Sequence, residues 1–351
     1  MAKSHNLKEF EQNQIQKSVA KSQNLKRELD RMRGRYRELE GSYRELCQVM
    51  GYRNAIEVTD LEPSIIEPHK RRGDGEACAI SLMSDVHPFE SVIPAQVNDL
   101  NEYNPDICKA SCLRYFQGVL QWLKIHRAGQ NVHKLAFVLL GDIIGNMIHL
   151  DQVESNAGTP QEELLFALDI LIGGINFLLD NADLKELRVV GIHGNHDRGT
   201  EKKQAQNMAK HAHTWVLYNL IKRYYEDYRP DKRVVVEIAD GEFHYIDIFG
   251  QICRLHHGDL IRYQGGIGGL TVPANNRING WNTARKADFD FFGHHHTTHW
   301  DKANRFIANG TIMGFSPISL RYKVKYEPPQ QTFILMDKQR GLTSVNAIYV
   351  R

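Results

Sequence analysis

Leu187-Arg188-Val189-Val190-Gly191-Ile192-His193-Gly194-Asn195-His196-Asp197 is an apolar, β-branched run that stops abruptly in a glycine and a string of metal-capable or proton-transferring side chains. Four further stretches share that form. Ala79 to Met83 leads into Asp85-Val86-His87, Leu135 to Leu140 into Gly141-Asp142, Ile252 to Leu255 into His256-His257-Gly258-Asp259, and Phe289 to Phe292 into Gly293-His294-His295-His296. Each polar block falls where a strand ends and a loop begins, the place at which open α/β sheets assemble their sites. The spacing predicts helices around Cys108 to Arg127, Gln161 to Asn181 and Lys202 to Tyr228, between the strand blocks, as a layered α/β domain requires.

The residue types point to one metal site. Clustered carboxylates are costly to desolvate without positive partners, and a divalent cation turns the same cluster into a stable cage. Asp, His and Asn donors suit manganese, iron or zinc, and no cysteine stands in any of the five blocks, which argues against a structural zinc site. Two carboxylates and four or five imidazoles exceed one tetrahedral ion and suffice for two ions sharing a bridging Asp.

In this order (Asp-x-His, Gly-Asp, Gly-Asn-His-Asp, His-Gly, Gly-His-x-His), the blocks resemble the calcineurin-like metallophosphoesterase superfamily over roughly Ala77 to the C-terminus. The resemblance implies two stacked mixed β-sheets flanked by helices. It implies that Asp85, His87 and His296 hold one divalent ion, that Asn195, His257 and His294 hold the other, and that Asp142 bridges them. His196 would be the catalytic histidine that gives a proton to the leaving oxygen or stabilises phosphoryl charge, and the attacking group a metal-bound hydroxide. Manganese is the first expectation for the two ions, with iron, zinc or magnesium also fitting.

His257 is the implied ligand of its pair because the family's ligand directly precedes a glycine. On an extended chain His256 must then point to the opposite face, as a supporting or packing residue, and His295 must likewise face away from the ions. His149 and His299 read as ordinary polar histidines. The second block continues Ile143-Ile144-Gly145-Asn146 and the third ends in Asp197, which disfavours the serine/threonine phosphoprotein phosphatase branch. Several branches place a supporting Asp or His three residues after the bridging Asp. Gly145 stands there in this chain, so His196 must be oriented from elsewhere, with Asn146 and Asp197 as candidates. Asn146, Arg198, Arg262 and Arg277 are the candidate substrate contacts. Arg262 and Arg277 flank the glycine-rich Tyr263 to Gly269, whose backbone either approaches phosphate oxygens or forms a plain loop. Thr332 to Met336 and Ser344 to Val350 read as closing strands of a second sheet.

Three segments are expected: an N-terminal helix over 1–54, a linker over 55–76 containing Pro63 and Pro68, and a catalytic domain over 77–351. Leu25, Leu29, Met32, Tyr36, Leu39, Tyr43, Leu46 and Met50 alternate by four and three and predict a helix with a continuous apolar seam. That helix either pairs with a second copy as a parallel coiled coil, making a homodimer, or folds back on its own domain. In the paired register Glu28 and Arg35 face Arg33 and Glu40 with opposite charge.

The net charge of +2 carries no signature of a polyanion-seeking protein, whereas residues 1–50 hold eleven Lys or Arg against seven acids. A nuclease or phosphodiesterase acting on nucleic acid is therefore the leading functional expectation, similar to DNA-repair and phage or prophage members of the superfamily. A small-molecule phosphatase or phosphodiesterase using the helix only to oligomerise is the alternative. The charged N-terminus, the five scattered cysteines and the want of an 18-residue apolar run place the chain off the membrane, in the cytoplasm of a bacterium or of a phage-infected host cell.

Overall fold

The computed structural model describes Lys26 and residues 75–351, apart from 149, 201, 204, 205, 265–268 and 322–324. The expected helix over 1–54, nearly all of the linker, His149 and most of the glycine-rich stretch lie outside the described residues. The chain divides into two units, Met1–Asp60 and Leu61–Arg351, and the second carries everything below.

Four parallel strands, β1 (Glu76–Met83), β2 (Asn131–Leu140), β3 (Glu186–Ile192) and β4 (Val234–Ile238), form one side of the first sheet. Alternation within β1 sends Ala77, Ala79 and Met83 into one apolar core and Cys78, Ile80 and Leu82 into another. A strand covered on both faces reads as a continuous apolar run, and for that reason the sequence pattern was unambiguous here.

Thr332 to Met336 and Ser344 to Val350 do form strands, but the expectation that they close a second sheet is corrected. They belong to β10 (Gln330–Asp337) and β11 (Gly341–Tyr349), which extend the first sheet in the order β11-β10-β1-β2-β3-β4, with β10 antiparallel to β1. All eight residues of β10 are buried, a condition that an interior position beside β1 satisfies. The second sheet is built from β5 (His244–Ile248), β6 (Gln251–Leu255), β7 (Phe289–Phe292), β8 (His299–Asp301) and β9 (Phe306–Ala308), in the order β5-β6-β7-β9-β8. Ile80, Leu82, Val138 and Val190 meet Ile246, Cys253, Leu255 and Phe291 between the two sheets.

Helices cover the outer faces. α1 (Pro105–Arg127) starts at Asn104, whose side chain accepts from Ile107 N, and α3 (Pro160–Asn181) starts at a Thr159–Glu162 capping box. Between them lies the short α2 (Leu150–Ser155). The single helix expected over 202–228 breaks into α4 (Met208–His211), α5 (His213–Arg223) and a wider helical turn at Tyr224–Tyr228. α6 (Thr271–Asn282), which the sequence pattern did not reveal, seats Ala274 and Ile278 on Phe292, Phe306 and Ala308 of the second sheet. α7 (Pro317–Arg321) is a short helix near the C-terminal end of the unit, and a 3-10 turn spans Pro94–Val97. Cys108 and Cys112 lie one turn apart on α1 with sulfurs 4.0 Å apart, buried as unbridged core thiols. No helix among the described residues is long and apolar enough to cross a membrane.

Candidate dinuclear metal site

The carboxyl ends of β1, β2, β3, β6 and β7 deliver the five polar blocks to one place. Turning each chain end inward so sharply forces Asp85, His87, Asp142, His294 and His296 to positive φ, between 44° and 69°. Such left-handed conformations are uncommon for residues with a Cβ and persist only where the surroundings over-determine them. Glycine lets the loops close on one another: a Cβ at Gly194 would stand 2.1 Å from Asp142 Oδ1, and one at Gly293 2.6 Å from Asp85 Oδ2.

Two groups of donors result. Asp85, His87 and His296 offer ligand atoms within 4.8 Å of one another, and so do Asp142, His257 and His294. In the first group His296 Nε2 lies 3.3 Å from Asp85 Oδ1, while His294 N donates to both Asp85 oxygens at 3.0 and 3.1 Å. In the second, His257 Nε2 stands 3.0 Å from Asp142 Oδ2 and 3.1 Å from Asn195 Oδ1, which places Asn195 beside this group. Asp142 Oδ2 also lies 3.9 Å from His87 Nε2, so that this oxygen sits between the two groups. His257 Nδ1 donates to Leu140 O at 2.7 Å, leaving Nε2 as the donor atom toward the site.

The electrostatics fit cations. Asp85 and Asp142 are buried at 0% and 1% exposure, and burial alone would raise their pKa values. The neighbouring imidazoles outweigh it: His296 and then His257 lower Asp85, while His257, His196 and His87 hold Asp142 well below the carboxylate range. For His257 burial works against protonation, yet Asp142 and Asp85 push its pKa up to about 10. His87 is driven down to about 3 by burial and by His196. Both ring nitrogens of His87 are buried without a hydrogen-bond partner, a costly arrangement for an imidazole unless a cation takes a lone pair. The donor set therefore suits two oxygen- and nitrogen-liganded divalent ions.

His196 borders this centre. Its backbone N donates to Asp142 Oδ1 at 2.7 Å, and its ring packs edge-on against His87 with centroids 4.8 Å apart. Asp197 is turned away, accepting from Gly194 N and Asp142 N at 2.6 and 3.1 Å. Burial and the nearby Asp142 push its pKa up to about 7. Asn146 donates to the carbonyls of His196 and Arg198, both at 2.8 Å, and Arg198 donates to the carbonyls of Asn195 and Thr200. Both residues, expected at the substrate, thus brace the loop that carries Asn195 and His196. Arg262 and Arg277 are exposed, the latter on α6.

His256 and His257 point to opposite faces: His256 packs on Phe292 and Trp281, with Nε2 3.6 Å from Asp290. His295 packs on the Phe292 ring, and His299 Nε2 meets Thr271 Oγ1 at 3.2 Å. Asp259 pairs with Lys203 at 2.6 Å.

Two supporting residues escaped the sequence reading. Glu163 on α3 accepts from Asn146 N, Gly145 N and Phe89 N, tying the loops after β1 and β2 together. Gln152 on α2 brings its amide to 2.6 Å from His196 Nδ1. Neither stands in one of the five blocks; each reaches the site from a helix.

A family model described as calcineurin-like phosphoesterase matches residues 79–331. Similar solved structures include an archaeal phosphodiesterase, at 11% identity over 77% of this chain and 98% of the other, with a TM-score of 0.34. A hypothetical protein from Pyrococcus horikoshii OT3 is 12% identical over 78% of this chain and 88% of the other, with a TM-score of 0.36. A single mutant of Vps29 from Entamoeba histolytica is 14% identical over 77% and 97%, with a TM-score of 0.30. No curated protein matches the chain.

Proposed function

The chain belongs to the calcineurin-like phosphoesterase family, whose members use dinuclear metal centres, and from that premise we propose that it is a metal-dependent phosphodiesterase acting on nucleic acid. The observation that carries the reading is the position of Asp142, one carboxylate oxygen between two groups of histidine donors with His196 anchored on the other oxygen. Asp85, His87 and His296 would hold one divalent ion, and Asn195, His257 and His294 the other, with Asp142 shared. Bound there, two such ions supply Lewis acidity and a water acidic enough to attack phosphorus at neutral pH.

The chain's own groups do the rest. His196, fixed through its backbone to Asp142, offers its Nε2 proton to the oxygen that leaves phosphorus. Arg262, which follows the His257 block in the chain, and Arg277 on α6 are exposed cations for the flanking phosphates of a strand. The basic excess of residues 1–50 supports nucleic acid over a small phosphate ester, because sequence-independent affinity for a strand grows with the number of phosphates neutralised. Manganese is the proposed ion, since a mixed carboxylate, amide and imidazole donor set without thiolate suits it.

The test is turnover of single-stranded DNA, duplex DNA, RNA and a phosphomonoester by purified protein with Mn²⁺. Cleavage of at least one nucleic acid in preference to the monoester is expected. Hydrolysis of the monoester alone would return the protein to small-molecule chemistry.

A further inference from the structure

We propose that Gln152 is a positioning residue for His196, working with the Gly145 carbonyl. The inference rests on the phosphodiesterase reading above and assigns the orientation of its proton donor.

His196 Nδ1 lies 3.0 Å from Gly145 O and 2.6 Å from the Gln152 amide. A carbonyl can only accept, so Nδ1 carries a proton. The Gln152 atom facing that N–H must then be the amide oxygen, which a half-turn of the carboxamide about Cγ–Cδ presents at the same position. Two neutral acceptors thereby hold one N–H and leave Nε2 as the nitrogen that exchanges a proton with substrate. Gln152 is buried, at 3% exposure, and it reaches the ring from α2, a six-residue helix placed between the second block and α3. Gly145 is itself held in place by Glu163, which accepts its N–H at 3.1 Å. A side chain at position 145 would crowd that support, since a Cβ there would stand 3.0 Å from Glu163 Oε1.

The consequence is chemical. In the reaction, water adds its oxygen to phosphorus and the bond to the leaving alcohol oxygen breaks with its electron pair on that oxygen. The oxygen takes the proton from His196 Nε2, and the proton lost by the water returns to the ring through solvent. Only a leaving group too basic to depart as an anion needs that proton. An imidazole free to rotate delivers it less often, so the defect of a Gln152 variant must grow with leaving-group basicity. A residue that merely stabilises α2 would slow all substrates alike.

Gln152→Ala, Gln152→Asn and His196→Ala/Gln152→Ala are compared with wild type and His196→Ala on thymidylyl-thymidine, whose leaving group is an alkoxide, and on thymidine 5′-(p-nitrophenyl phosphate), whose leaving group departs unaided. Bound manganese is measured in each variant. The expected result is unchanged metal content, unchanged KM and a kcat on the dinucleotide lower by about 10- to 100-fold in Gln152→Ala, the usual size when a supporting residue is removed. The loss on the nitrophenyl ester should be several-fold smaller, and the double variant no slower than His196→Ala. Equal losses on both substrates, or additive losses in the double variant, would overturn the proposal. Because both substrates would be inert if the phosphodiesterase reading itself failed, histidine ¹⁵N spectra supply a readout independent of turnover. His196 Nδ1 should report a protonated nitrogen in wild type and a shifted or broadened one in Gln152→Ala. Identical His196 spectra in the two proteins would also refute the role.

Discussion

The Asp142 carboxylate and the His257 imidazole meet at 3.0 Å, and the two side chains are each 2% exposed. In the ion-free protein this is a buried ion pair, with His257 protonated up to about pH 10 and Asp142 ionised far below the usual carboxylate range. A proton on Nε2 does there what a dication would do with more charge, so ion and proton compete for one nitrogen.

Loading the ion-free protein with Mn²⁺ at pH 7 should therefore release protons, because His257 must give one up to become a ligand. The apparent affinity should climb as the pH is raised from 6 to 8. A weakly buffered titration followed with an indicator dye measures the release, and metal binding without any net proton loss would show that His257 is not a ligand.

The ion-free protein should also have a stability maximum near neutrality. His257 has its folded pKa raised from 6.5 to about 10, so its contribution is fully present below 6.5 and is lost as the pH rises through 10. His87 has its folded pKa lowered from 6.5 to about 3, so the unfolded chain binds a proton that the folded one refuses, and stability falls as the pH drops from 6.5 toward 3. Thermal melts of chelator-treated protein at pH 5, 7 and 9.5 should give the highest Tm at pH 7. Saturating Mn²⁺ at pH 7 should raise that Tm further, since a ligand of the native state stabilises it by mass action.

Asp142→Asn removes the charge that lets two dications sit side by side while leaving the shape of the side chain almost unchanged. Elemental analysis should find up to two ions per wild-type chain and clearly fewer in the variant, with phosphodiester turnover abolished. Full occupancy and undiminished turnover would contradict the shared role given to this oxygen.

His196→Ala should separate chemistry from metal binding. Its ring nitrogens belong to neither ligand group, so the metal content should stay near the wild-type value while turnover falls by about 100-fold or more, as when a general acid is removed. Loss of metal together with activity would make His196 a structural support of the centre instead.

The sequence exposed the site more fully than its surroundings, for a physical reason. A metal ligand must be a particular residue type at a particular strand end, and strands buried on both faces, such as β1 and β7, announce themselves as apolar runs. His256 and His257 could be set on opposite faces from the two-residue repeat of an extended chain alone. Sheet membership was less legible: β10 and β11 carry the same apolar signal whether they close one sheet or extend another, and only long-range pairing with β1 decides. α6 was hidden because its buried side is narrow, with Pro273, Ala274 and Ile278 its only buried residues. The supports of His196 were hidden for a different reason. A carbonyl and a glutamine amide are chemically ordinary, and nothing short of the fold brings Gln152 to the ring.

The N-terminal seam discriminates among substrates. If the sequence from Leu25 to Met50 pairs with a second copy, Leu39→Asp should dissociate the dimer, because it sets a charge with no partner in an apolar interface. Turnover of a small chromogenic phosphodiester should survive, since every proposed ligand lies beyond Ala77. If Lys26, Arg27, Arg31, Arg33 and Arg37 also guide nucleic acid, deleting residues 1–50 should weaken DNA cleavage while sparing the chromogenic substrate. It should also flatten the salt dependence of DNA binding, by about 0.7 to 0.9 in the log–log slope for each phosphate that is no longer neutralised. Equal DNA cleavage by full-length and truncated protein across a salt series would leave the segment an oligomerisation device, and a monomeric full-length protein in light scattering would remove that role as well.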